Sequence, residues 1–184
     1  MQKIIWGLTG EMASGKGTVA KYLVKKYKGN SYRFSIMLRD LAKRMYLEES
    51  RDNLQKLSKI FRQNFSEDIL SKVIYHDVKN DQHRVVAVDG VRRASDIKYL
   101  QTFPNFKLIY IETGLEKRFA RTKARYENSD DATKTFVQFK KDQKKEAELQ
   151  IGGLKAKADF VVDNNGNFKK LYSQIDKIIA SCKN

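Results

Sequence analysis

The sequence predicts a three-layer α/β/α fold in which helices cover both faces of a parallel five-stranded sheet. Apolar segments of strand length alternate with longer segments whose apolar residues recur at helical spacing. Strands that are apolar on both faces are typical of a parallel sheet buried between two helical layers. The 184 residues include one proline, Pro104, and no linker rich in glycine, serine or proline. One domain, 1–184, is therefore predicted.

The predicted strands and helices follow one another along the whole chain. We predict two helices with a break near Asn64–Ser66, or one continuous helix, in the long helical region Arg51–Lys79. The strands are predicted at Met1–Thr9, Tyr32–Ser35, Arg84–Val88, Phe106–Ile111 and Phe160–Asp163. The other helices are predicted at Lys16–Lys28, Ile36–Tyr46, Ala94–Gln101, Leu115–Tyr126, Thr133–Leu149 and Asn167–Ala180. Ligands of such a fold gather at the carboxyl ends of the strands.

A glycine-rich loop, Gly-Glu-Met-Ala-Ser-Gly-Lys-Gly-Thr at residues 10–18, separates the first predicted strand from the first predicted helix. Glycine at positions 10 and 15 permits positive φ and close backbone approach, so successive N–H groups can point into one anion-binding concavity. Lys16 adds a positive charge where the β- and γ-phosphates of a nucleotide would lie. The residues predicted to bind the triphosphate are Gly10, Met12, Ala13, Ser14, Gly15, Lys16, Gly17 and Thr18.

The end of this phosphate loop, Gly15-Lys16-Gly17-Thr18, resembles that of the nucleoside monophosphate kinases, adenylate kinase among them. The resemblance implies a sheet of the P-loop NTPase type, a short lid, ATP as co-substrate, and a role for Thr18 in holding Mg²⁺. Asp89 follows the predicted strand Arg84–Val88, where a carboxylate can reach the Mg²⁺ shell beside a phosphate loop. We therefore expect Mg²⁺ as cofactor, with Thr18 and Asp89 as ligands. The alternative for Asp89 is an ordinary residue at the end of a strand.

Two stretches resemble the segments with which these kinases hold the acceptor. Asp89-Gly90-Val91-Arg92-Arg93 is similar to Asp-Gly-Phe-Pro-Arg of adenylate kinase, which implies that Arg93 binds the acceptor phosphate and acts in catalysis. Asp96 falls near the position at which that family reads the base with a glutamine. Arg33-Phe34-Ser35-Ile36-Met37-Leu38-Arg39 is similar to Ser-Thr-Gly-Asp-Met-Leu-Arg, which implies that Arg39 is a second acceptor arginine.

The same resemblance implies that the helical region 36–80 lines the acceptor pocket. Guanidinium groups suit this role, since each offers a planar fork of donors to phosphate oxygens. The alternative for Arg39 is a solvated arginine paired with Asp40 or Glu48. The acceptor residues expected from the sequence are Arg39, Arg93 and Asp96.

Arg118, Arg121 and Arg125 are spaced three and four residues apart, which places them on one helical face. The lid-side arginines of nucleotide kinases occupy a corresponding place. Arg121 and Arg125, with Lys16 and Arg93, are therefore the expected catalytic residues, and a short lid is expected over 118–135. The alternative is the basic side of an amphipathic helix.

The last predicted strand ends in Asn164-Asn165-Gly166, a turn that tolerates positive φ. Asn165 is expected to face the adenine ring, as the equivalent loop does in this superfamily. This stretch also resembles dephospho-CoA kinase, which has Ala-Asp before its last strand and Asn-x-Gly after it. The predicted function is ATP-dependent transfer of the γ-phosphate to a nucleoside monophosphate-type acceptor. The alternative is dephospho-CoA kinase-like transfer to a ribose hydroxyl.

The amino-acid composition limits the kinds of partner that the protein is expected to bind. A net charge of +15 indicates polyanionic partners, so a nucleic-acid-associated ATPase is a third hypothesis. The sequence lacks the aromatic and basic strand pattern of common RNA-binding modules, so nucleic acid is not the expected partner. The single cysteine, Cys182, cannot form an internal disulfide, and neither a signal peptide nor an apolar run of membrane-spanning length is apparent. We therefore expect a cytoplasmic setting without membrane contact.

Overall fold

The computed structural model describes residues 3–125, 131–144 and 146–182. Its five strands are β1 (Ile4–Thr9), β2 (Asn30–Arg33), β3 (Val85–Val91), β4 (Phe106–Glu112) and β5 (Phe160–Asp163). The first helices are α1 (Lys16–Tyr27), α2 (Phe34–Arg44), α3 (Arg51–Asn64) and α4 (Ile69–Asn80). They are followed by α5 (Ala94–Ile97), a 3₁₀ turn (Leu100–Thr102), α6 (Leu115–Arg125), α7 (Phe136–Asp142), α8 (Glu146–Lys155) and α9 (Phe168–Ser181).

All strand pairs are parallel, and the sheet has the order β2-β3-β1-β4-β5. The central strand β1 has β3 on one side and β4 on the other, so the chain leaves it in two directions. A crevice forms at such a switch point, beyond the carboxyl ends of the strands. The loop that follows β1 lies at this crevice, which is where the sequence predicts the ligand.

Two apolar cores cover the two faces of the sheet. Ile5 on β1 faces one core, which it shares with α2, α3 and α4, while Trp6 faces the other core with α1 and α9. This alternation is the period of two that a strand imposes on its side chains. Burial on both faces confirms the predicted three-layer α/β/α fold of the P-loop type. Among the described residues, no helix combines the length and the apolar character that crossing a membrane requires.

The second strand begins two residues earlier than predicted. It covers Asn30–Arg33, not Tyr32–Ser35, and α2 starts at Phe34. The reason lies in the packing of α2, where Phe34, Leu38 and Ala42 are buried at helical spacing. Arg33 is thereby the last residue of β2, opposite Asp89 of β3.

The break predicted near Asn64–Ser66 is confirmed, because α3 ends at Asn64 and α4 begins at Ile69. The single helix predicted over Thr133–Leu149 is wrong, since α7 and α8 are separate helices. Gln143, which follows α7, accepts a hydrogen bond from the Arg118 guanidinium at 2.7 Å, and this contact holds the chain where α7 ends. The helix predicted over Ala94–Gln101 is also shorter, and consists of α5 followed by the 3₁₀ turn.

Candidate functional site

The phosphate loop bends sharply between β1 and α1. Gly10 and Gly15 have φ of 138° and 106°, and Ala13 between them has φ of 59°. A β-carbon at position 10 would collide with the carbonyl oxygen of Ile111, and one at position 15 with the amide nitrogen of Asn164. Both glycines are therefore required by the backbone conformation and by its close neighbours. Gly15 is the N-cap of α1, so the loop ends at a helix N-terminus, which favours an anion.

The side chain of Lys16 folds back over the phosphate loop. Its Nζ donates hydrogen bonds to the carbonyl oxygens of Gly10 at 2.7 Å and Glu11 at 3.0 Å. The positive charge is thus held above the loop, where the resemblance expects the phosphates. Lys16 also lines a cavity that adjoins the loop, so this side chain belongs both to the loop and to the cavity wall.

Three side chains support the outer side of the loop. The buried guanidinium of Arg118 donates to the carbonyl oxygen of Met12 at 3.3 Å and pairs with the Glu11 carboxylate at 3.1 Å. Arg121 donates to the carbonyl oxygens of Ser14 at 3.5 Å and Asn164 at 3.0 Å. The Asn164 amide also donates to the Ser14 carbonyl oxygen at 2.7 Å. These contacts occupy the carbonyl oxygens of Met12 and Ser14 and so fix the course of the backbone between Gly10 and Gly15.

Burial lowers the pKa of the Arg121 guanidinium from its ordinary value. Nη1 of Arg121 lies 3.9 Å from where a β-carbon on Gly15 would be, so this arginine is next to the start of α1. A charged group held in a desolvated position acts more strongly on a nearby phosphate than one in water. Arg121 is therefore a partly desolvated cation beside the phosphate loop.

Asp89 is a buried carboxylate beside the phosphate loop. Its Oδ2 pairs with Nε of Arg33 at 3.0 Å, whereas its Oδ1 is buried and has no hydrogen-bond partner among the described residues. A β-carbon on Gly17 would lie 3.7 Å from Oδ2, so the carboxylate is beside the first turn of α1, which carries Thr18. A bulge at Gly90, with φ of 85°, follows Asp89 on β3.

The residues around Asp89 fit Mg²⁺. This ion binds oxygen, keeps several waters, and is held in phosphate sites by one or two protein groups together with the substrate phosphates. An unpartnered buried carboxylate oxygen beside the helical turn that carries Thr18 supplies such a group. No cluster of three or more His, Cys, Asp or Glu side chains that could hold a metal without substrate occurs in the described part of the chain. Thr18 and Asp89 therefore match a metal that arrives with the nucleotide.

A basic cavity of about 400 Å³ opens between the phosphate loop and the helices α2 and α3. Nine basic and two acidic side chains line it, so its field attracts anions. Several residues predicted from the sequence are in its wall: Met12, Ala13, Lys16, Arg39, Asp89, Arg93 and Asp96. The basic residues that the sequence reasoning did not single out are Arg33, Arg51, Lys56, Lys59, Arg62 and Arg92.

Both predicted acceptor arginines carry a glutamate partner in this structure. Arg39 pairs with the Glu49 carboxylate at 3.3 Å, and not with Asp40 or Glu48 as the alternative reading of the sequence proposed. Arg93 pairs with the Glu67 carboxylate at 3.1 Å. Each guanidinium therefore reaches the cavity while it holds an internal anion.

Both oxygens of Asp96 are engaged within the protein. Oδ1 accepts a hydrogen bond from Nη2 of Arg62 at 2.5 Å, and Oδ2 accepts from the backbone N–H groups of Arg92 at 2.9 Å and Arg93 at 3.0 Å. The carboxylate thus caps α5 and fixes Arg62, which is itself buried. Asp96 therefore acts on the cavity through Arg62, since its own oxygens are occupied.

A family model described as "AAA domain" matches residues 9–140, well over half of the chain. The chain belongs to this AAA domain family. The matched region begins at the last residue of β1 and contains the phosphate loop and every residue that lines the basic cavity. Together with the sheet order and the loop geometry, this confirms membership of the P-loop kinase superfamily.

Relatives of this AAA domain protein include a UPF0200 protein of Thermococcus kodakarensis, 28% identical over 177 residues, with 94% of each chain covered. A UPF0200 protein of Pyrococcus abyssi is 29% identical over 177 residues, covering 94% of this chain and 93% of the relative. The solved shikimate kinase from Bacteroides thetaiotaomicron superposes with a TM-score of 0.66 at 13% identity, over 98% of this chain and 99% of its own. Shikimate kinase from Acinetobacter baumannii in complex with shikimate gives 0.58 at 16% identity, over 100% and 96%. Such structural likeness shows the P-loop kinase fold.

Asn165 and Arg125 complete the predicted set. The side-chain oxygen of Asn165 accepts from the Gly114 N–H at 2.8 Å, so Asn165 joins the turns after β4 and β5. It is the neighbouring Asn164 that touches the phosphate loop. The side chain of Arg125 and residues 126–130 of the predicted lid 118–135 lie outside the described part of the chain.

Arg62 is the residue of the site that the sequence analysis missed most clearly, although a signal for it exists. It lies eight residues after Leu54, which places an arginine on the buried apolar face of α3. A charged residue on such a face is rare unless it is paired. The pattern therefore predicts a buried ion pair, but it does not identify Asp96 as the partner.

Proposed function

We propose that this protein is an ATP-dependent phosphotransferase that moves the γ-phosphate of ATP to a nucleoside monophosphate-type acceptor. One observation carries the proposal: a single basic cavity joins Lys16 of the phosphate loop to Arg39 and Arg93. A donor held by the loop and an acceptor phosphate held by the arginines would share this space. Such an arrangement brings the attacking oxygen close to the γ-phosphorus, and proximity of this kind is a main source of rate in phosphoryl transfer.

On the donor side, the loop N–H groups and Lys16 hold the ATP phosphates. Thr18 and Asp89 would hold Mg²⁺, which supplies neutralisation of the charge on the β- and γ-phosphates when bound. Arg121 reaches the same loop from α6, and with Arg125 it neutralises charge that develops on the transferred group. Asn165 faces the adenine ring from the turn after β5.

On the acceptor side, Arg39 and Arg93 grip the phosphate of the acceptor, and Asp96 contributes by fixing Arg62 beside them. Helices of region 36–80 form the wall around the acceptor. A phosphate monoester is already an anion, so its oxygen needs no general base to attack. This agrees with a cavity wall in which basic side chains far outnumber carboxylates.

The proposal is tested by a coupled kinase assay with ATP and a panel of nucleoside monophosphates, deoxynucleotides, dephospho-CoA and shikimate. We expect turnover with one or more nucleoside monophosphates. Lys16→Ala is expected to abolish turnover, and Arg93→Ala to raise the KM of the acceptor while leaving the KM of ATP unchanged. Absence of transfer to every monophosphate in the presence of Mg²⁺ would refute the proposal.

One observation favours a second candidate, transfer to a ribose hydroxyl as in dephospho-CoA kinase. A hydroxyl acceptor needs a carboxylate to take its proton, and Asp89, which lines the cavity, has a buried carboxylate oxygen, Oδ1, without a hydrogen-bond partner among the described residues. In the same assay this candidate predicts transfer to dephospho-CoA in place of the monophosphates. It also predicts that Asp89→Asn abolishes transfer at every Mg²⁺ concentration, since the proton acceptor is lost.

A further inference from the structure

The turn between α3 and α4 places one carboxylate in the middle of three donors. Oε1 of Glu67 accepts from Nη1 of Arg93 at 3.1 Å, from Oγ of Ser95 at 3.2 Å and from Nη1 of Arg62 at 3.3 Å. The Arg62 guanidinium also donates to the Glu67 carbonyl oxygen. Two guanidinium groups and a hydroxyl converging on one oxygen form a set of donors that suits a phosphate.

The donors are fixed, whereas the glutamate is exposed. The Arg62 and Arg93 side chains are 5% and 14% exposed, while that of Glu67 is 61% exposed. Asp96 holds Arg62 from the other side at 2.5 Å. If the carboxylate of Glu67 moved into solvent, Arg62 would remain in place, and Glu67 itself would gain hydration. Because the Glu67 carboxylate is already largely hydrated, its release costs little free energy once another anion takes its place beside the arginines.

We propose, as an extension of the function proposed above, that Glu67 is a resident anion at the Arg93 end of the acceptor-phosphate site, where Arg62 and Ser95 join Arg93, and that the acceptor displaces it. A phosphate monoester carries a charge of about −1.5 to −2 at pH 7, whereas a carboxylate carries one negative charge. The monoester therefore outcompetes Glu67, and a carboxylate ligand does so poorly. Glu67 therefore sets an affinity threshold that is equal for every anion, and the higher charge of the phosphate monoester is what exceeds it.

The test compares Glu67→Gln with the wild type and with Glu48→Gln. Glu48 is an exposed residue of the segment before α3 and makes no ion pair among the described residues, so the control changes the net charge equally. Calorimetry with inorganic phosphate at constant ionic strength is expected to show about threefold to tenfold tighter binding to Glu67→Gln. Glu48→Gln is expected to bind phosphate like the wild type.

Inorganic phosphate can also bind the phosphate loop, so a double variant locates the effect. In Glu67→Gln combined with Arg93→Ala, the gain in phosphate affinity should disappear. A gain that survives the loss of Arg93, or an unchanged or weaker affinity in Glu67→Gln, would overturn the proposal.

Kinetics give a second, separate readout. With the active monophosphate, Glu67→Gln should lower the acceptor KM by the same factor, with kcat and the KM of ATP unchanged. A purely structural glutamate would instead change kcat, or both KM values. If no acceptor is phosphorylated at all, the proposed kinase function fails, while phosphate binding still decides the role of Glu67.

Discussion

At Gly15, backbone conformation and close packing act on the same residue. Its φ of 106° disfavours any side chain, and the space where a β-carbon would lie is filled by the Asn164 amide. Asn164 in turn holds the carbonyl oxygen of Ser14 at 2.7 Å. The shape of the phosphate loop therefore depends on a residue 149 positions further along the chain, a dependence that no local motif contains.

Gly15→Ala is expected to lower the free energy of unfolding by about 1–3 kcal/mol and to weaken ATP binding strongly. Both effects follow from forcing the loop away from Asn164. Urea denaturation and calorimetry with Mg·ATP measure them. The matched control is Gly152→Ala in α8, where a β-carbon would meet nothing within 4 Å. This control should be neutral or stabilising by up to about 1 kcal/mol, since alanine favours a helix. Equal losses of stability and of ATP affinity in Gly15→Ala and Gly152→Ala would contradict this explanation of Gly15.

At the scale of elements, the end of α3 is joined to the start of α5 by the buried pair of Arg62 and Asp96. Their side chains are 5% and 3% exposed. A buried charge that loses its partner is expensive even where the intact pair adds little stability. The pair therefore sets the relative position of α3 and α5, and with it the wall of the basic cavity.

Arg62→Leu is expected to lower the free energy of unfolding by about 3–5 kcal/mol, because it leaves the Asp96 carboxylate buried with only backbone donors. Urea unfolding followed by circular dichroism measures this loss. Lys59→Leu, an exposed change on the same helix, should stay within about 0.5 kcal/mol of the wild type. A loss below about 1 kcal/mol in Arg62→Leu would argue against a buried unpaired carboxylate.

A second junction between elements, from α4 to β2, is predicted to make stability depend on pH. Burial alone would raise the pKa of Asp81, but hydrogen bonds from Tyr32, the His83 N–H and Asn30 lower it to about 2. The ordinary value is 3.8, so the folded state favours the ionised form. The resulting stability is present above about pH 4 and is lost as the pH falls from about 4 to about 2.

We expect Asp81→Asn to be less stable than the wild type by about 2 kcal/mol near pH 6, with the difference vanishing near pH 2. Urea unfolding between these pH values measures the convergence. Asp77→Asn, an exposed change on α4, should follow the wild type throughout. A difference that stays constant with pH would show that Asp81 contributes through packing and not through its charge.

At the scale of the whole molecule, the net charge of +15 and the basic cavity predict a strong effect of salt on acceptor binding. The KM of a monophosphate acceptor should rise about tenfold between about 20 and 300 mM NaCl, because screening shortens the Debye length to below the size of the cavity. The value of kcat should remain the same. Sucrose of equal osmolality, which does not screen charge, is the control. A change of less than twofold in the acceptor KM over this range of salt would contradict an electrostatic attraction of the acceptor by the cavity.

The comparison of sequence with structure also belongs to this scale. Apolar runs predicted the strands, although β3 continues three residues past the predicted Arg84–Val88 and so contains Asp89. The loop at 10–18 was also predicted, because both signals are local. Contacts between distant residues were beyond reach: Arg62 with Asp96, Arg118 with Gln143, and Glu67 with Arg93. The Arg62–Asp96 pair fixes the wall of the cavity. The Arg118–Gln143 hydrogen bond lies where α7 ends. The Glu67–Arg93 pair engages an arginine that the sequence predicts to bind the acceptor phosphate.

The two outermost strands, β2 and β5, are four residues each, whereas β3 and β4 have seven. A sheet margin with unpaired N–H and C=O groups is a template on which another chain can add a strand. Edge strands of only four residues offer few such groups in a row. The protein should therefore resist edge-to-edge aggregation at the concentrations that crystallisation and calorimetry require, even though its sheet is apolar on both faces.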